Sequence, residues 1–294
     1  MWQFGVETIR EWWNDDVPTL AAATAFYTVF SFAPSLMIAV AVASMFYGRE
    51  AARGEIVDLL RLLTGSATPI FEAVLEQAQA RSALATTLGV AASLFGATAA
   101  FVALQNGLNT IWGVAIKPGH DVKMFFRKRV LSFVLVLGGG LLLLSSLIAG
   151  TLLETTIRFL EGSLPVPAIV LEAVQFVASL VLVMLLFAGL YKILPDVKIT
   201  WSDVWIGAAG TSFFFTVGKT LLGVYLARST LGSVYGAAGS FVLMLVWVYY
   251  SVQIFFLGGE FTQVYARRHG TPLVPADYAV QISKPRSPQQ ETIL

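Results

Sequence analysis

A chain of 294 residues that is 56% hydrophobic and 13% charged, with a mean hydropathy of +0.74, is too apolar for a soluble domain and reads as an integral membrane protein. A net charge of +1 supplies no basic field of the kind that holds nucleic acid, so nucleic acid is not an expected partner. The absence of cysteine excludes disulfides, thiolate metal sites and cysteine nucleophiles together, and the two histidines, His120 and His269, lie outside the apolar runs, so no metal or cofactor is expected.

In chain order, Trp2 to Trp13 places Trp2, Val6, Ile9 and Trp13 on one helical face, with Glu7, Arg10 and Glu11 elsewhere. That pattern predicts an interfacial helix within residues 1–17. This start lacks the short apolar core and small-residue cleavage site of a signal peptide, so the mature chain is expected to begin near Met1. The first span, Leu20 to Tyr47, carries Thr24, Thr28, Ser31 and Ser35 at steps of four, three and four. Pro34 lies beside this hydroxyl stripe and removes a backbone donor, which predicts a kink.

Residues 49–83 alternate acids and bases with aliphatics at helical spacing, and Thr68 and Pro69 look like an N-cap and first helical position. They predict an amphipathic helical hairpin outside the core, too charged to span. The second span, Leu84 to Asn106, ends in the polar group Gln105, Asn106 and Asn109, and a basic cluster follows with Lys117, Lys123, Arg127, Lys128 and Arg129. Further spans are expected at Leu131 to Leu153, Ile169 to Leu190 and Val204 to Leu226. The sixth, Gly239 to Thr262, is about 24 residues long, enough to cross a core of about 30 Å at helical rise. Its polar side chains Tyr249, Gln253 and Glu260, spaced by four and then seven, share one stripe that must face other helices. The tail from 267 to 294 is polar and carries four prolines, which predicts disorder. The expected fold is therefore all-α: a polytopic membrane protein with six transmembrane helices over residues 18–266 and an amphipathic helical hairpin between helices 1 and 2.

Six spans put both termini on one side. Lys and Arg number 12 on that side and 6 on the other, with Lys219 inside span five. The positive-inside rule then predicts cytoplasmic termini. On this topology Thr24, Thr28, Gln105, Asn106, Asn109 and Glu260 share the cytoplasmic half, near Arg127, Lys128 and Arg129. They read either as interhelical glue or as the lining of a polar cavity. Lys219 lies roughly 10 Å below the outer end of its span and either snorkels to the outer headgroups or faces inward with Ser212 and Thr216. A Lys219–Glu260 ion pair is not expected, because Glu260 lies about 30 Å below the outer end of its own span. Gly218, Lys219 and Thr220 spell the end of a phosphate-binding loop, but Phe213 to Phe215 is no glycine-rich turn.

Six stretches together resemble the YihY/BrkB family of bacterial inner-membrane proteins: AAATAFYTVFSFAPSL (Ala21 to Leu36), ALQNGLNTIWGV (Ala103 to Val114), FFRKR (Phe125 to Arg129), LPDVKITWSDVWIGA (Leu194 to Ala208), GKTLLGVYL (Gly218 to Leu226) and the long run from Val234 to Ala266. Where that family often has a charge after the span-two leucine, this chain has Gln105 and Asn106. The resemblance implies six helices with cytoplasmic termini in the inner membrane, and a function debated between lipid export, other transport and virulence. The family's former label, ribonuclease BN, would need a solvated catalytic domain. The largest aqueous piece here is a hairpin of about 35 residues, so no enzyme is expected. Two readings stay open. One is a transporter or lipid flippase without its own ATPase, acting on membrane lipids, with Thr24, Thr28, Ser31, Pro34, Gln105, Asn106, Asn109, Lys219, Tyr249, Gln253 and Glu260 along the path and Arg127, Lys128 and Arg129 at anionic headgroups. The other is an envelope scaffold or virulence-associated protein that docks a partner through residues 49–83.

Overall fold

A computed structural model of the chain describes residues 2–64, 68–73, 85–117, 168–228, 239–269 and 273–282. The protein is mostly helical. α1 (Trp2–Asn14) and α2 (Val17–Tyr47) meet at a two-residue corner where Asp16 takes a left-handed backbone, φ 51°, and accepts a hydrogen bond from Thr19 Oγ1 at 3.0 Å. Asp is among the few non-glycine residues that tolerate this conformation, and Pro18 follows in the first turn of α2, where its missing N–H removes no helical bond. α2 continues unbroken through Pro34. Gly48, at φ 80°, ends it, and α3 (Arg49–Thr64) and a helical stretch at 68–73 follow.

Four long helices make up the rest of the described bundle: α4 (Ala85–Trp112), α5 (Ala168–Ile193), α6 (Trp201–Arg228) and α7 (Gly239–His269). Among the described residues, Phe176–Ile193 of α5 and the whole of α7 are long and apolar enough to cross a membrane by length and composition. α2 packs against α4 and α7, α6 against α5 and α7, and α1 against α7. Glycines set the closest approach. A Cβ on Gly207 would stand 1.7 Å from Thr262 Oγ1, one on Gly258 1.8 Å from Thr211 Oγ1, and one on Gly218 2.6 Å from Tyr250 Oη. These contacts fix an antiparallel α6–α7 register and bring the two backbones together as small residues do in membrane bundles. Phe213, Phe214, Leu221 and Tyr225 stay exposed on the outer side of α6.

The structure departs from the sequence expectations in three places. The fold is not purely helical: β1 (Val114–Ile116) pairs antiparallel with β4 (Ala279–Gln281), and β2 (Val197–Lys198) with β3 (Val274–Pro275). The expected disorder of the tail therefore fails over 267–269, which extend α7, and over 273–282, which pair with two interhelical segments. Residues 49–83 were expected outside the core, yet over the described parts, 49–64 and 68–73, apolar side chains enter it. Ile56 and Leu60 are buried, and Phe71 stands edge-on to Phe32 at 5.1 Å and to Trp247 at 5.2 Å. The expected third span, Arg127 to Arg129 and residues 283–294 lie outside the described residues.

Candidate functional site

The ends of α4, α5 and α7 and the starts of α2 and α6 gather at one end of the bundle, where both strand pairs lie. Asp196, 2% exposed, is the hub there. Its carboxylate accepts from Asn109 Nδ2 at 2.7 Å, Gln105 Nε2 at 3.1 Å and Tyr278 Oη at 3.1 Å, while its backbone N–H donates to Asn109 Oδ1 at 2.9 Å and its carbonyl accepts from Ala276 N at 3.0 Å. Gln105 Nε2 also donates to the Leu194 carbonyl at 2.9 Å. A carboxylate buried this deeply survives because so many donors converge on it, and charge-assisted bonds are the stronger kind. Three parts of the chain far apart in sequence are thereby tied together: the last turns of α4, the loop after α5 and the tail.

Around this hub Asp277 is held by Lys198 Nζ on its carboxylate at 2.7 Å and by Lys117 Nζ on its carbonyl at 2.8 Å. The hydrogen bond and charge of Lys198 hold the Asp277 carboxyl below its ordinary value. On the other flank α1 is clamped to the end of α7. Arg267 binds both Glu7 and Glu11, the latter at 3.3 Å, Arg268 binds Glu7, and Phe4 sits edge-on to Phe261 at 4.8 Å. Burial pushes the Glu7 carboxyl up, but the hydrogen bonds of Arg268 and Arg267 outweigh it, and the net position is below the ordinary value.

Of the residues singled out from sequence, Gln105 and Asn109 meet on Asp196, whereas Asn106 between them is exposed, its carbonyl accepting from Thr110 Oγ1 at 3.0 Å. The Thr24, Thr28 and Ser31 hydroxyls donate to the carbonyls of Leu20, Thr24 and Thr28 at 2.8, 2.8 and 2.9 Å, bonds closed within α2. Glu260 is fully buried on α7, next to Gly259, whose Cβ would stand 3.1 Å from Leu108 of α4. Tyr249 and Gln253 are half-buried along the same helix. Lys219 is half-buried too, and the α6–α7 register sets it level with Tyr250, roughly 15 Å along α7 from Glu260.

Sequence reading missed Asp196 and Tyr191. Tyr191 is fully buried where α5, α6 and α7 meet, donates to the Phe255 carbonyl at 2.6 Å, lies 3.0 Å from Thr211 Oγ1 and stacks on Phe255 at 5.0 Å. The available signal was an acid directly after Leu194–Pro195 at the exit of an apolar run, with a tyrosine one turn before.

Long apolar helices with polar groups turned inward and tied at one end make this a helical membrane protein. The chain belongs to the family described as Virulence factor BrkB, whose model matches residues 8–279. It is similar to proteins named "UPF0761 membrane protein": one from Tolumonas auensis, 28% identical over 257 residues, covering 86% of this chain and 82% of that protein, and one from Delftia acidovorans, 28% identical over 273 residues, covering 89% of this chain and 62% of that protein. A third, from Alkalilimnicola ehrlichii, is 26% identical over 250 residues. There the match takes in 84% of this chain but 54% of the relative, so the chain spans about half the length of some relatives. No solved structure matches the chain.

Proposed function

We propose that this protein is a transporter or lipid flippase of the bacterial inner membrane, with both termini cytoplasmic and neither an ATPase nor another enzyme activity of its own. Glu260 carries the reading. It is an ionisable group with no exposure in a helix long enough to cross the bilayer. Charge in that setting is costly, and where it persists it tends to mark an ion or substrate path. α1 adds support for a working contact with lipid. Its acidic side is held to α7, while Val6, Ile9 and Trp13 are 41%, 62% and 71% exposed on the opposite face, the arrangement of a helix lying in the headgroup plane.

The deciding experiment is translocation of fluorescent zwitterionic and anionic lipids in proteoliposomes of purified protein, with and without an imposed proton gradient. Wild type is expected to move lipid and a folded Glu260→Gln variant to lose most of that activity. Equal transport by the two would remove Glu260 from the path, and no transport by wild type under any of these conditions would overturn the reading.

A further inference from the structure

The tail crosses the end of the bundle as a strap, residues 273–282, whose outer and inner attachments differ in strength. β3 and β4 pair over two and three residues, too short to be stable by themselves. The Lys198–Asp277 pair is largely exposed, and exposed pairs contribute little. Toward the bundle, Tyr278 Oη donates to the Asp196 carboxylate at 3.1 Å, Ala279 is 4% exposed and Leu273 packs against the core. A hydrogen bond to a buried carboxylate is of the stronger kind, so Tyr278 is the firmest side-chain pin of a lightly held segment. Few buried apolar contacts and short ladders are the marks of an element that opens locally while the rest stays folded.

The strap stands beside the seam between α4 and α7. Along that seam the helices approach closely at glycine: a Cβ on Gly107 would stand 2.3 Å from the Phe256 ring, and one on Gly259, directly before the buried Glu260, 3.1 Å from Leu108 and 3.4 Å from Ile111. One turn further along, the seam parts into an open cleft of about 470 Å³, lined by Trp112 and Gln263 of the helices and by Leu273, Gln281 and Ile282 of the strap. Gln105 and Asn109, which share Asp196 with Tyr278, occupy the same turns of α4 as Gly107 and Leu108. The pin and the seam thus belong to one piece of helix. The groups beneath Tyr278 are polar, so water can replace its hydroxyl on Asp196 when the strap lifts.

We propose that residues 273–282 are a lid that lifts and closes over this end of the α4–α7 seam, and that Tyr278 on Asp196 is its latch. Closed, the strap walls the cleft and keeps water from the seam beside Glu260. Lifted, it opens the cleft toward that seam. As a gate to Glu260 the lid rests on the transport reading above; the motion itself does not, and it is read by labelling rather than by transport.

The test is the rate of maleimide labelling of the purified full-length chain in nanodiscs, where both faces are open to reagent and no native cysteine competes. Ala279→Cys reports lifting of the strap, and Gln263→Cys, at a site 5% exposed, reports the seam beside it. Both are expected to react slowly, and about tenfold faster when Tyr278→Phe removes the latch hydroxyl. Asp277→Asn, which releases only the exposed Lys198 pair, should speed both by less. Ala21→Cys, fully buried in α2 at the same end of the bundle, should stay unreactive in every background, so that a gain reports the strap and not unfolding. Ala115 faces Val280 across β1 and β4, and a disulfide between cysteines placed there should bring labelling at 263 below the wild-type rate. Labelling at 279 that ignores both Tyr278→Phe and Asp277→Asn would show a fixed strap and overturn the proposal. Labelling at 263 that ignores the disulfide, or stays slow while 279 speeds up, would show that the strap covers no route and overturn it as well.

Discussion

Asn109 and Asp196 hold each other twice, side chain to side chain at 2.7 Å and Asp196 backbone N–H to Asn109 Oδ1 at 2.9 Å. The first bond satisfies a buried carboxylate and the second a backbone donor, so one amide side chain fixes the loop after α5 against the last turns of α4. Neither helix could place that loop alone, because it lies 87 residues away from Asn109 along the chain.

Asn109→Leu should therefore destabilise the fold by about 2–4 kcal/mol, since it leaves a buried N–H unpaired and takes one donor from a buried carboxylate. Asn106→Leu, three residues earlier on an exposed face, should change stability little. Unfolding titrations of the two variants in mixed micelles compare the positions directly; equal midpoints would mean that the Asp196 hub contributes nothing to stability.

What sequence could and could not show follows from the range of the interactions. The long helices are legible because an uninterrupted apolar run is a local property, and the expected bounds of the fifth and sixth spans fall inside α6 and α7. Gln105, Asn106 and Asn109 were legible as a polar group at the end of span two. Their acceptor was not, since Asp196 in isolation looks like any loop acid. Gln105, Asn106 and Asn109 read as the exit of span two; α4 runs on past them to Trp112, and Asp196 pairs the first and third. The tail was misjudged for the same reason. The tail strands have two and three residues and no periodicity of their own. They exist because distant segments offer them backbone partners and Lys117 and Lys198 hold Asp277.

Gly258→Ala should disrupt the bundle more than its single carbon suggests. The added Cβ would lie 1.8 Å from Thr211 Oγ1 and 2.4 Å from Tyr191 Oη, side chains that are themselves buried and bonded. Overpacking of this kind costs about 1–3 kcal/mol or more. Thr211→Ala with Tyr191→Phe in the same chain should return part of the loss. A double-mutant cycle on melting temperature reads the coupling, and strict additivity would show that the close approach of α6 and α7 relaxes by another route.

The α1 clamp should loosen in acid. The folded Glu7 carboxyl lies below its ordinary value of 4.5, so its stabilising contribution is complete above that pH and is lost as the pH falls through the lower folded value. The pairs are partly exposed, which limits the effect to about 1 kcal/mol or less. A spin label at Gln3 should gain mobility below about pH 4.5 in the wild type. In Glu7→Gln it should already be mobile at neutral pH. A label whose mobility ignores both pH and the substitution would show that Phe4 on Phe261 holds α1 unaided.

The face of the membrane that this end of the bundle occupies is open to direct chemical labelling. The α4, α5 and α7 exits, the α2 and α6 entries and the tail all share it. On the proposed topology it faces the cytoplasm, the side the positive-inside rule predicts from 12 Lys and Arg against 6. Because the chain has no native cysteine, single substitutions report without background. Asp58→Cys on exposed α3 should react with a membrane-impermeant maleimide in spheroplasts, and Val280→Cys on the exposed side of β4 should react only after permeabilisation. Together the two positions separate orientation from accessibility, since each serves as the other's control. The reverse pattern would put the Asp196 hub and the α1 clamp on the outer face.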